Sequence, residues 1–443
     1  MQNQGIRDAR SLGTPKMLVL GLQHMFAMFG ATVLVPALTG LSVSATLLFA
    51  GLGTLFFHFL TKGKVPAFLG SSFAYLAGYA AIAPNGETAL LPYACVGVAA
   101  SGLLYLILSA LVRGFGANRV MRFFPPVVTG PIIICIGMTL ANSAINNCTG
   151  SWDIALVAIL TVVIFNIWGK GMLRIIPILL GVLVSYVYAA ITGRVDFSGV
   201  ASAAWIGLPV KMENTVFSLI GNCDANLLVT AIIAIMPIAF ATMIEHIGDI
   251  CAISSTVGAN FIADPGLHRT LLGDGLATSI ASLFGAPANT TYGENTGVLA
   301  LTRVYDPLVI RLAAVYAIIA SFCPKFAALV SAMPTGTIGG VSLILYGMIS
   351  AIGVRNLVEN QVDLSKSRNV IVVSLIISLA LGITFSAAGA ITFHVGEFTL
   401  NFSGLAVAAI VGIVVNAILP GKDYNFQNDY EYGKTTEDHG QML

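Results

Sequence analysis

Three carboxylates, Glu245, Asp249 and Glu294, stand in stretches that are otherwise apolar. Glu245 and Asp249 are four residues apart, so on a helix they share one face. Two carboxylates on one buried face form a place where a proton can be taken up and released. Glu294 belongs to a polar, glycine-bearing run, Pro287-Ala-Asn-Thr-Thr-Tyr-Gly-Glu-Asn-Thr-Gly-Val298. Such a run breaks a helix, and in hydrocarbon a freed peptide group is tolerated only where protein or a water-filled cavity satisfies it. A break that also holds an acid reads as a binding site. The plainer reading is an acid that holds the bundle together by pairing with a polar neighbour. No Lys or Arg lies in either segment to pair with Glu245 or Glu294. His24, His246 and His58 read first as packing or hydrogen-bonding residues.

The surrounding chain is membrane in composition. Of its 443 residues 57% are hydrophobic and 9% charged, against about 25% charged in an ordinary soluble domain, and the mean hydropathy is +0.89. Apolar runs of bilayer length begin near Met17, Ala45, Leu90, Pro126, Ile154, Ile175, Asn226, Leu271, Leu308, Ile338, Val370 and Ser403, and shorter, polar-interrupted stretches at 67–81 and 289–302 bring the expected spans to fourteen. The fold class is therefore an all-α polytopic membrane protein. Residues 1–16 are polar and carry no cleavable signal, and residues 420–443 form a polar tail. With the N-terminus inside, fourteen spans put eighteen of the 21 Lys and Arg on the cytoplasmic side and leave Arg194, Lys211 and Lys325 outside, as short loops require. Both termini are then cytoplasmic. The six cysteines are scattered, without metal-ligand spacing, and read as small apolar packing residues. The longest loop, 193–225, lies outside and has room for a hairpin or short helix.

An internal repeat organises the spans. Leu22-Gln-His-Met25 returns as Ile244-Glu-His-Ile247, Gly51-Leu-Gly-Thr54 as Gly275-Leu-Ala-Thr278, and Pro66-Ala67 as Pro287-Ala288, at offsets of 222, 224 and 221. Three matches in one order, near half the chain length, with Gly70-Ser71-Ser72 facing the polar run, imply two seven-span halves. Seven is odd, so the second half enters from the opposite side as an inverted repeat, and the short broken spans three and ten meet near the midplane. Their half-helix N-termini aim partial positive charge at a ligand.

At these residues the chain resembles the nucleobase-ascorbate transporter family, also called nucleobase:cation symporters, and within it the bacterial uracil permeases. The family pattern of an acid, Gln or Pro followed by Asn-x-Gly-x-x-x-x-Thr-[Arg/Lys/Gly] stands here as Glu294-Asn-Thr-Gly-Val-Leu-Ala-Leu-Thr-Arg303. Gln23-His24, Gly70-Ser-Ser-Phe-Ala74 and the uracil-type Tyr292-Gly-Glu-Asn295 accompany it, and the similarity covers roughly 17–419.

The resemblance implies a core domain of 17–112 and 226–330 (spans one to four and eight to eleven), a gate domain of 113–192 and 331–419 (spans five to seven and twelve to fourteen), and uptake by proton symport across the bacterial inner membrane, often from a homodimer. It makes Glu245 and Glu294 the carboxylates that hold the base. Phe73 and Gly293 offer backbone N–H groups, Tyr292 lines the site and Tyr346 meets the base from the gate. Asp249, Glu245 and His24 are the proton-coupling candidates, and Gln23, Ser71, Ser72 and Asn295 support the site. No cofactor beyond the coupling proton, no metal and no nucleic acid are expected; the partners are a nucleobase, protons and the lipid bilayer.

The residue types agree with this. Uracil offers two ring N–H donors and two carbonyl acceptors on a flat ring, which calls for carboxylates, N–H donors and an apolar wall. One position departs: uracil permeases carry His one turn after the Glu of span eight, where this chain has Asp249, as purine carriers do. The alternatives are a xanthine- or urate-type proton symporter and an anion transporter of the same architecture, which would present a basic or neutral midplane. An enzyme would need a nucleophile–base pair or metal cluster that the spans lack.

Overall fold

The computed structural model describes residues 5–395 and 398–421, excepting the side chains at 172, 175, 294, 394, 395 and 398–400. The expected tail lies outside the described residues from 422 onward. The chain is almost entirely helical. Its principal elements are α1 (Thr14–Thr39), α2 (Val43–Leu60), β1 (Leu69–Ser71), α3 (Leu76–Ile82), α4 (Leu91–Phe115), α5 (Pro126–Cys148), α6 (Trp152–Trp168), α7 (Pro177–Ile191), α8 (Ala225–Ile235), α9 (Ala239–Val257), α10 (Leu267–Leu283), β2 (Asn289–Thr291), α11 (Gly293–Thr302), α12 (Pro307–Ser321), α13 (Pro324–Ser331), α14 (Thr335–Glu359), α15 (Ser367–Thr384), β3 (Ala390–Val395), β4 (Phe398–Ser403) and α16 (Gly404–Ile418).

Among the described residues, seven helices are long and apolar enough to cross a bilayer, or eight if the α12–α13 pair, bent by 89°, is one span. The continuous segment Ala225–Val257, α8 and α9 joined by a 3-10 turn at Met236–Ile238, is one of the seven. Helices α6, α7 and α16 are apolar but shorter.

Local chemistry explains the starts and stops. Ser42, Asp224, Asp306 and Ser403 accept hydrogen bonds from the first free N–H groups of α2, α8, α12 and α16, which otherwise lack partners. Helices α1 and α9 end on left-handed Gly40 and Gly258. The segment after α7 forms a short helix, Ser198–Ser202, and two 3-10 turns rather than a hairpin. Among the described residues the hairpin is β3–β4, paired antiparallel from Ala390↔Ser403, and β4 packs on α8.

The helices pack in two groups. In one, α4 lies on α8 and α10, α10 on α2, and α2 on α12, which also meets α1. In the other, α14 joins α5 to α6, α6 packs on α7, and α15 on α5 and α16. With lipid around it, a bundle gains little from burying apolar surface and depends on close backbone approach at small residues. Gly102 of α4 lies against α10, where an added Cβ would come within 2.5 Å of the Gly275 carbonyl oxygen. Gly353 of α14 lies likewise against α5, where an added Cβ would come within 2.6 Å of the Gly130 oxygen.

A side chain at Gly353 therefore forces α14 off α5. Gly353→Leu is expected to cost at least the ~1–3 kcal/mol typical of overpacking, seen as a lower melting temperature in detergent. Gly347→Ala on the same helix, with open space around it, is expected to melt as the wild type does.

Candidate functional site

The two polar-interrupted stretches meet as a two-stranded antiparallel ladder, with Leu69, Gly70 and Ser71 opposite Thr291, Thr290 and Asn289. The pairing continues one residue further at each end: Ser72 donates its N–H to the Ala288 carbonyl at 2.9 Å, and Tyr292 donates to Phe68 at 3.0 Å. A helix starts directly after each strand. A 3-10 turn from Phe73 runs into α3, and Gly293 opens α11. Two helix N-termini, each with first-turn N–H groups that the helix itself cannot satisfy, thus flank one crossing.

Side chains fasten the crossing to the helices behind it. Thr54 Oγ1 accepts from Leu69 N at 2.9 Å, while Thr278 donates to the Asn289 carbonyl. These are the threonines that the sequence repeat matches. Asn289 Nδ2 donates to Phe49 O at 2.7 Å, and Ser71 Oγ to Thr32 O at 2.8 Å. Tyr292 donates its hydroxyl to the Ser71 carbonyl at 2.8 Å and lays its ring on Gly70, where an added Cβ would come within 2.4 Å. The Tyr292 side chain is thus engaged inside the crossing, and the tyrosine that meets Phe73 is Tyr346. Its ring stands edge-on to Phe73 with centroids 5.7 Å apart, joining α14 of the second helix group to the first.

Of the acids, Asp249 reaches this crossing. Asp249 is buried, accepts from Thr291 Oγ1 at 3.0 Å, and points its other oxygen at Gly293, 3.4 Å from where a Cβ would stand. Glu245 lies one turn earlier on α9 and is half-buried. Glu294 is the second residue of α11, and its side chain lies outside the described residues. On α1, Gln23 and His24 are buried, and neither ring nitrogen of His24 has a hydrogen-bond partner. The amide of Asn295 and the Ser72 hydroxyl are also enclosed without partners. Buried polar atoms of this kind cost free energy until they are hydrogen-bonded, and those of Ser72 and Asn295, beside the two strands, suit a polar ligand.

A fourth acid within the bundle is absent from the sequence reading. Asp274 on α10 is fully buried, and its Oδ2 lies 3.3 Å from His246 Nδ1. The same nitrogen is 3.4 Å from Thr291 Oγ1. Asp249, Thr291, His246 and Asp274 therefore form a continuous polar path behind β2. The His246 ring is held between the edges of Phe57 and Tyr105. The available signal was an acid between two glycines, Gly273-Asp274-Gly275, inside an otherwise apolar span. His58, read as structural, donates from Nε2 to the Ala67 carbonyl, 2.9 Å away.

A family model described as a permease family, Xan_ur_permease, matches residues 15–389. The uracil permease of Bacillus caldolyticus is 41% identical over 96% of this chain and 96% of its own length. That of Bacillus subtilis (strain 168) is 40% identical over 99% and 98%. Among solved structures, the transmembrane domain of a cyanobacterium bicarbonate transporter, BicA, superposes with a TM-score of 0.64, covering 94% of this chain and 100% of that one, at 14% identity; this is a likeness of fold. The chain belongs to the nucleobase-ascorbate transporter family, resembles its uracil permeases, and is a multi-pass membrane permease rather than an enzyme.

The crossing is expected to depend on the Tyr292–Gly70 contact. Tyr292→Phe removes a buried hydroxyl bond worth ~1–3 kcal/mol and lowers the melting temperature. Gly70→Ala drives a methyl into the ring and lowers it further; equal melting of Gly70→Ala and wild type would contradict the packing described.

Proposed function

We propose that this permease imports a nucleobase, uracil, by proton symport with alternating access. The observation that carries the reading is the apposition of Asp249 and the α11 N-terminus at the strand crossing, with Glu245 one turn away. Carboxylates supply acceptors for the ring N–H groups of uracil, the N–H groups at Phe73 and Gly293 supply donors for its carbonyls, and the edge-to-face pair Phe73–Tyr346 supplies aromatic surface for the flat ring. Charged acceptors also reject analogues that lack the matching donor, since the acid would be left buried and unpaired. The relatives named uracil permease support the choice of base.

Fourteen spans in a seven-plus-seven inverted repeat fit the antiparallel pairing of equivalent strands and the matched roles of Thr54 and Thr278. The two helix groups support a core of spans one to four and eight to eleven that carries the base past a gate of spans five to seven and twelve to fourteen. Protonation at Glu245 or Asp249 neutralises charge that would otherwise cross the membrane at a cost, and His24 is a further proton-coupling candidate. In this reading Asp249 does the work of the imidazole found in uracil permeases. The protein sits in the bacterial inner membrane with both termini cytoplasmic, as a homodimer.

Uptake of radiolabelled uracil into proteoliposomes under an inward proton gradient tests this. Wild type is expected to concentrate uracil, with pyrimidine competitors effective and a protonophore abolishing accumulation. Glu245→Ala and Glu294→Ala should not bind, and Asp249→Asn should lose accumulation while retaining exchange. Competition by xanthine in preference to uracil would move the substrate to the purines; normal concentrative uptake by all three variants would remove these acids from the mechanism.

A further inference from the structure

Residues 5–9, which precede the first helix and take no part in the site, lie across the far ends of the two helices that form it. Ile6 bridges Val304 in parallel: its N–H donates to the Arg303 carbonyl at 2.7 Å, and Tyr305 donates to the Ile6 carbonyl at 2.8 Å. Gly5 meets the Tyr305 ring so closely that an added Cβ would come within 2.1 Å of it. Arg7 donates from Nη2 to the carbonyls of Val257 at 2.9 Å and Gly258 at 3.4 Å. Ala9, fully buried, donates its N–H to Asp306 at 2.8 Å, and the other oxygen of that carboxylate caps α12.

We propose that residues 5–9 are a brace that fixes α9 and α11 relative to one another, with Arg7 and the Ile6 backbone as positioning groups for the ligand site. This rests on the reading of the crossing as a nucleobase site. Helix α11 is ten residues long, too short to be stable unaided. The strand ladder holds its first residue, and Arg303, in the left-handed region at φ 54°, ends it. The brace takes up the Arg303 carbonyl there. At the end of α9 the carbonyls have no helical donors, and Arg7 supplies one together with a cation suited to the C-terminal dipole.

From Arg303 back to Gly293 is about 15 Å of helix, and from Val257 back to Asp249 about 12 Å. Each helix is thus a short lever with the brace at one end and the ligand-facing groups at the other. A displacement of an ångström or so at the braced end reaches Gly293 and Asp249 nearly undiminished, and recognition at such sites is sensitive to shifts of that size.

The test uses four variants of the full chain: Arg7→Ala, Arg7→Lys, Ile6→Pro, which removes the N–H that bonds to Arg303, and Ile6→Val, which keeps it. Uracil uptake in proteoliposomes gives KM and Vmax, melting in detergent gives stability, and substrate-free amide exchange reads α11. Arg7→Ala and Ile6→Pro are expected to raise KM roughly tenfold with Vmax and melting temperature near wild type. They should also speed exchange at 293–296. Arg7→Lys should recover part of the affinity, and Ile6→Val all of it. Unchanged KM and exchange in Arg7→Ala and Ile6→Pro would overturn the brace, as would a KM rise that only follows a lower melting temperature and appears equally in Ile6→Val. If wild type takes up no uracil, the nucleobase reading fails and the brace stands or falls on the exchange at 293–296.

Discussion

A peptide group that leaves a helix inside the bundle must find another partner, and here the two broken stretches find each other. Leu69–Ser71 and Asn289–Thr291 exchange the backbone hydrogen bonds that neither could make alone. Most of the site's geometry follows from that pairing. Antiparallel strands of a few residues end close to where their partners begin, so the helices that follow them start on either side of one crossing. Their N-terminal dipoles converge without any charged residue having to be placed there. Thr54, Thr278, Asn289 and Ser71 then tie the ladder to α2, α10 and α1, which makes the crossing a rigid element rather than a loop.

Around this element the acids and the aromatic wall have different origins. Helix α9 passes behind β2 and delivers Asp249 to Thr291 and Gly293. Tyr346 stands on α14 of the second helix group and meets Phe73 edge to face. A ligand held between them would feel any sliding of one group against the other. The small-residue contacts that make each group stiff, such as Gly102 against α10 and Gly353 against α5, lie within the groups.

The breaks and the shared face of Glu245 and Asp249 were legible because each leaves a local pattern: polar residues where apolar ones are expected, and a spacing of four. What was not legible depended on rotamers and on distant contacts. Tyr292 reads as a wall residue, yet its hydroxyl turns inward because the Ser71 carbonyl and the bare face of Gly70 are there to receive it. Asp274 was passed over because a lone acid flanked by glycines shows nothing of the His246 ring on a neighbouring helix. Residues 5–9 read as a polar end, since a bridge to Val304 some three hundred residues away has no sequence signal. Among the described residues seven or eight helices are long and apolar enough to span, where the sequence suggests fourteen, because α3 and α11 are short and interrupted by strands.

If the two broken stretches bind the ligand together at the crossing, amide hydrogen exchange of the full protein will register it at both. With saturating uracil, exchange is expected to slow in residues 72–76 and 293–296 at once, with the rest of the bundle little changed. Protection confined to one of these segments, or found only elsewhere, would contradict it.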